Sequence, residues 1–229
     1  VLDVDWLAEA ISNNAAWCDA IASSHNVPTS WNESYWMSKH PMPRFYPNII
    51  TLKSDTAIDN QIDIIKPQLP SGWGIKDSFA ELDLHSNGFS PAFDAHWYCR
   101  VPTNGIIDNF KRQHHVHTVK TQLELNRWAS AWGDGTDIFN AALLEKQCVE
   151  LLYIEHHNNI VAGLAINLGG HSVGISNAFG SPNELLSSVA SVIEKNPDKG
   201  LVGYGDQTEM ALLSKIGFRN IGDMRVWER

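Results

Sequence analysis

Residues 177–223 read NAFGSPNELLSSVASVIEKNPDKGLVGYGDQTEMALLSKIGFRNIGD. Sliding the chain by 129 positions lays residues 48–94, NIITLKSDTAIDNQIDIIKPQLPSGWGIKDSFAELDLHSNGFSPAFD, on them without a gap. Asn48, Ile64, Lys66, Gly74, Asp77, Leu84, Gly88, Phe89 and Asp94 meet Asn177, Ile193, Lys195, Gly203, Asp206, Leu213, Gly217, Phe218 and Asp223, and one inserted residue later Trp97 meets Trp227. Both stretches run in one order: a short apolar run, a helical stretch, a Gly-containing run, Asp, then Gly-Phe and a strand ending in Trp. Internal similarity on this scale points to one supersecondary unit built twice; the alternative is chance likeness between two ordinary strand–helix–strand segments.

Working outward, Val149–Glu155, Ile160–Asn167 and Val173–Phe179 are β-prone runs separated by His157-Asn158-Asn159 and by Gly169-Gly170, which predicts an antiparallel meander. Helices are expected over Thr121–Trp132 and around Ile138–Leu144, then over Pro182–Lys195 and Thr208–Ile216. Strands are expected at Leu201–Tyr204 and Met224–Trp227. In the first half, Asp3–Ser24 has helical spacing, with Asp3 or Asp5 available to cap it. The four prolines of residues 25–47 predict an irregular connection. Asn48–Leu52 reads as a strand and Ser54–Lys66 as a helix begun by Ser54 or Asp55. Trp73–Ile75, Phe79–His85 and Phe93–Val101 follow as strand, helix and strand, and 102–117 reads as a linker.

With 229 residues, 43% hydrophobic and 19% charged, the chain is a globular protein able to bury a sizeable core. Its net charge of −9 supplies no basic stripe for a nucleic-acid partner. Three scattered cysteines, Cys18, Cys99 and Cys148, argue against a disulfide framework, and a cytoplasmic location is expected. No apolar run is long enough to span a membrane and no leader stretch is visible, so no membrane partner is expected. The nine tryptophans read as core and packing residues, or in part as a stacking platform. Asp77 and Asp206, at equivalent places in the two stretches, read as caps of the helices that follow them.

The α-α-β-β-β-α-β-α-β order of residues 120–229, ending in Ala211-Leu212-Leu213-Ser214-Lys215-Ile216-Gly217-Phe218 and a strand, resembles the GNAT superfamily of acyl-CoA N-acyltransferases. The resemblance implies an α/β (α+β) fold with a mostly antiparallel mixed sheet flanked by helices, here pseudo-duplicated. The units would be a partial one over 1–110 and a fuller one over 111–229. It implies acyl transfer from acetyl-CoA to an amine of a small molecule or protein, the cofactor lying along Ser176, Asn177, Ala178, Phe179, Gly180 and Ser181. Two positions depart from the family. The loop that would bind the pyrophosphate has one glycine and no basic residue, and places Pro182 and Glu184 at the helix start, where Ser181 and Glu184 read as a capping box. The position of the acid Tyr on the last helix is Leu213. A second reading follows from these departures: a non-catalytic ligand- or partner-binding module of the same fold.

An acyltransferase needs a base for the amine. Glu155 is the carboxylate candidate, beside His156, or it simply flanks a turn. Tyr204 is the hydroxyl that could replace the absent Tyr as acid. His114-His115-x-His117 invites a metal reading, but no Cys or carboxylate pair is spaced along the chain to complete it, so no metal site is expected. Oligomeric state is not readable from the sequence.

Overall fold

The computed structural model describes residues 4–69, 71–102, 114–133 and 135–229. Helix α1 (Trp6–Ser24) starts where Asp5 Oδ1 accepts from the amides of Leu7 and Ala8, both at 3.1 Å. Asp5 is therefore the cap; Asp3 lies outside the described residues. The face bearing Ile11, Ala15, Cys18 and Ile21 is buried against the sheet.

The segment expected to be irregular contains a two-strand ribbon, β1 (Ser30–Trp31) and β2 (Tyr35–Met37). Asn32 closes its turn by accepting from the amides of Ser34 and Tyr35. The ribbon is tied to α1 through one carboxylate. Asp19 accepts from Thr29 Oγ1 at 2.6 Å, Trp36 Nε1 at 2.9 Å and Trp31 Nε1 at 3.2 Å. Asp19→Ala strands the indole of the fully buried Trp36, so we expect a loss of about 2 kcal/mol in denaturant unfolding. An unchanged midpoint would show that the ribbon is not held this way.

Strand β3 (Ile49–Thr51) leads to α2 (Asp59–Ile65), which begins later than Ser54 because Ser54 and Asp55 bond the Glu81 carboxylate instead. After β4 (Gly74–Asp77), the helix expected over Phe79–His85 is replaced by a turn and a short 3-10 segment, His85–Asn87. Asp77 accepts from the amides of Phe79 and Leu82, which folds that stretch back on itself, and Ala80 takes a positive φ. Strand β5 (Ser90–Arg100) follows. Of the expected linker, residues 103–113 lie outside the described residues.

The second half holds β6 (His117–Thr118), α3 (Gln122–Gly133), β7 (Val149–His156), β8 (Asn159–Leu168), β9 (Ser172–Phe179), α4 (Pro182–Lys195), β10 (Gly200–Gly205), α5 (Gln207–Leu213) and β11 (Arg219–Glu228). Thr121 and Glu124 form a capping box at the start of α3. Around Ile138–Leu144 only a 3-10 turn forms, at Ala141–Leu143, capped by Asn140. Asp206 caps α5 through the amide of Glu209, the role its sequence position suggests.

Among the described residues, the eleven strands form one sheet in the order β1-β2-β3-β4-β11-β5-β10-β9-β8-β7-β6. Pairing is antiparallel except for β3 with β4 and β9 with β10. The centre is a crossing: β5, from the first half, lies between β10 and β11, while β11 reaches across to β4. Asp94 with Arg225 and Asp223 with His96 clasp β5 to β11 on an exposed surface. On one face of the sheet Trp97 packs under α1; on the other Tyr98 packs with Leu213 and Phe218 beneath α5. Trp36, Trp97, Trp128 and Trp227 are fully buried, so core packing accounts for these four. Among the described residues no helix is long and apolar enough to cross a membrane.

Candidate active site where two strands diverge

Strands β9 and β10 pair only from Ser172 to Gly174 and from Gly200 to Val202, and beyond that they separate. β9 adds a bulge there. Its register against β8 jumps between Ser176 and Phe179, and Asn177 takes a φ of 52°. A bulge re-aims backbone groups out of the ladder. Asn177 is held in this conformation by Trp17 Nε1 and Tyr46 Oη, which each donate to its Oδ1 at 3.0 Å. The opening leads into a cavity of about 490 Å³. The first half builds part of its wall: Phe45, Tyr46, Lys76 and Tyr98 line it together with Tyr204 and Glu209.

Two glycines on β10 make room inside. A Cβ on Gly203 would stand 2.6 Å from the Tyr98 hydroxyl and 2.8 Å from the Ile175 carbonyl oxygen. A Cβ on Gly205 would stand 2.7 Å from the Glu209 carboxyl carbon. In the space they leave, Tyr98 Oη donates to Glu209 Oε1 at 3.0 Å. Burial, seconded by the Asp206 charge, raises the Glu209 carboxyl from an ordinary 4.5 to about 7, against the lowering effect of the Tyr98 bond. Burial and the Glu209 carboxylate push the Tyr98 hydroxyl well above its ordinary range. A half-buried carboxyl poised near neutrality in a cavity is the group a proton-transfer site requires.

Across the sheet, Lys76 is buried; its Nζ donates to Asn14 Oδ1 at 2.5 Å and lies 4.3 Å from the centre of the Tyr204 ring. Cys18 also lines the cavity. Burial pushes its thiol up, opposed by Lys76, so it is a poor thiolate nucleophile.

Of the residues expected from the sequence, Ser176, Asn177, Ala178 and Tyr204 line the cavity. Phe179, the last residue of β9, and Gly180 and Ser181 after it lie outside the cavity lining. Phe179 packs against Trp128, and Gly180, at φ 120°, abuts Ala162 so closely that no side chain fits. Glu155 stands apart from the cavity at the end of β7, ion-paired with Arg127. Ser181 caps α4 only in part: its hydroxyl bonds the Glu184 carboxylate but not the helix amides. Leu213, the last residue of α5, is buried in the core. Sequence reading missed Glu209 and Tyr98. Glu209 looks like an ordinary first-turn acid after its cap, and Tyr98 like one alternating strand residue among several. The available signal was Gly203-x-Gly205, two glycines on the same face of one strand.

No family model matches this sequence, and neither does any curated protein. Solved structures do resemble its fold. A GCN5-related N-acetyltransferase from Kribbella flavida superposes with a TM-score of 0.66 at 9% identity, over 96% of this chain and 95% of that one. A conserved protein of unestablished function from Staphylococcus epidermidis gives 0.63 at 12% identity, over 88% and 93%. A GCN5-related N-acetyltransferase-like protein from Streptococcus suis gives 0.54 at 10% identity, over 97% and 99%. Identities this low speak for architecture and not for chemistry. The chain, with its mixed, mostly antiparallel sheet flanked by helices, has the same fold as these GCN5-related N-acetyltransferase structures.

Proposed function

We propose that the protein is an N-acyltransferase that takes an acyl group from acetyl-CoA and passes it to an amine, with Glu209 as the base. The observation that carries this reading is a carboxyl raised to about 7 inside a cavity at the strand opening. When bound, the cofactor supplies an acyl thioester as electrophile. The cavity suits its narrow arm: about 490 Å³ is available beside the bulge at Ser176–Ala178. The phosphate end suits it less, because the start of α4 carries Glu184 and no Lys or Arg.

Glu209 would accept the proton of the attacking amine, and Tyr98 positions the carboxylate by donating to Oε1; as the C–N bond forms the thioester C–S bond would break, the departing thiol taking its proton from Glu209 or from water. Lys76 and Tyr204 border the cavity on the α1 side, where the acceptor, a small molecule or an exposed protein amine, would enter. The same reading takes residues 48–98 as a partial second copy of the later elements. In its support, Gly88 and Gly217 both end a 3-10 segment at positive φ, and β3–β4 repeats the parallel pairing of β9–β10. A binding module without chemistry is the second reading, favoured by Glu184 at the phosphate position and by the buried Leu213.

Isothermal titration with acetyl-CoA separates the two. Micromolar binding, roughly −8 kcal/mol, with release of free thiol when an amine is added supports the enzyme; binding without thiol release fits the module, and absence of heat at two temperatures with folded protein rejects the enzyme. Tyr98→Phe gives a finer check. Its hydrogen bond lowers the Glu209 pKa, so its loss should move the acid limb of the rate profile to higher pH. A limb that stays in place would remove Tyr98 from the positioning role.

A further inference from the structure

The fold gathers three groups that the sequence scatters: His114 just before β6, His156 at the end of β7, and Glu184 in the first turn of α4. His156 Nε2 lies 3.2 Å from His114 Nδ1, and His114 Nε2 lies 3.9 Å from Glu184 Oε1. One ligand atom from each residue falls within 4.8 Å of the other two, and all three side chains are half-buried.

We propose that His114, His156 and Glu184 bind a divalent transition-metal ion, zinc foremost. Two imidazoles and one carboxylate form a borderline-soft donor set that suits zinc better than calcium or magnesium. The spacing fits as well. Bonds of about 2.0–2.1 Å in a tetrahedron put neighbouring ligand atoms about 3.3 Å apart; because only one nitrogen of His114 can serve the ion, the three ligand atoms, within 4.8 Å of one another, close around it with side-chain shifts of about 1.5 Å or less. Glu184 also has an outer partner of the kind that orients a metal-binding carboxylate, the Ser181 hydroxyl. Neighbouring histidines are otherwise engaged. His117 stacks on Tyr153, and His115 lies edge-on to His117, so only His114 of that cluster turns toward Glu184.

Three protein ligands leave a fourth position for water or an anionic group. An ion here would join three chain segments that no disulfide links, and would neutralise the carboxylate at the start of α4. The site is argued without the acyl-transfer reading, but it shares Glu184 with the place where that reading puts the cofactor's phosphates.

The test uses the full chain, free of any histidine tag and stripped with chelator, titrated with Zn²⁺ by calorimetry and with Co²⁺ by visible absorption. We expect one equivalent bound, with the intense Co²⁺ bands of a tetrahedral site. His156→Ala and Glu184→Gln should each lower affinity at least about 100-fold and Ser181→Ala about 10-fold, with His40→Ala as an unaffected surface control. Glu184→Gln keeps the side-chain shape, so it serves if His156→Ala fails to fold. Absence of stoichiometric binding, or binding left unchanged by Glu184→Gln, would overturn the site.

Discussion

Replacing Glu209 by Gln should lower the acyl-transfer rate about 100- to 10,000-fold, the usual contribution of a positioned proton-transfer group. The same change should stabilise the protein at alkaline pH. The carboxyl is raised from 4.5 to about 7 on folding, so between these values the folded chain holds a proton that the unfolded chain releases. Wild-type stability contributed by this group is therefore full below about 4.5 and declines as pH rises through about 7. Allowing for partial solvent screening, the penalty at pH 8 is on the order of 2 kcal/mol. Gln removes it, so the stability difference between variant and wild type should grow from pH 4.5 to 7 and then level off. Urea unfolding at several pH values, beside a pH–rate profile, reads both effects. A variant that keeps the wild-type rate would remove Glu209 as base. One that loses rate without the pH-dependent gain would put the cause in geometry.

Trp97→Ala should cost about 3–5 kcal/mol, the range for deleting a large buried aromatic side chain. Trp97 is fully buried on the central strand β5, donates from Nε1 to the Ser78 carbonyl at 2.8 Å, and supports the Tyr204 ring edge-on at 5.5 Å between centroids. Because β5 pairs with both β10 and β11, unfolding should remain a single transition that carries both halves together. Calorimetry showing the second half melting at its wild-type temperature would mean that residues 1–110 and 111–229 fold as separate units. The variant should also weaken ligand binding at the cavity, since Tyr204 loses the ring that backs it.

These two residues mark how far the sequence reaches. The meander, helix α4 and the closing helix-to-strand segment were legible because each is a local pattern: alternation over β7–β9, helical spacing from Pro182 to Lys195, and a left-handed Gly217 after Ile216. Where prediction failed, a side chain from elsewhere competed for the backbone. Glu81 drew Ser54 and Asp55 away from starting α2, and Asp77 turned Phe79–Leu84 out of a helix. No period-based reading detects a carboxylate arriving from 26 residues away.

The site divides in the same way. Ser176–Ala178, named from the resemblance to the acyltransferase family, and Tyr204, named as a stand-in for that family's acid, line the cavity. Glu209 and Tyr98 could not be named in this way, since they meet only because β5 crosses into the sheet of the second half, 111 residues away along the chain. What the sequence determined by itself was the set of local elements and their order, through propensity, capping and hydrophobic spacing. The tertiary structure alone decided which strands became neighbours. Proximity across the sheet then set the dielectric and hydrogen bonding that turn an ordinary first-turn glutamate into a carboxyl poised near neutrality.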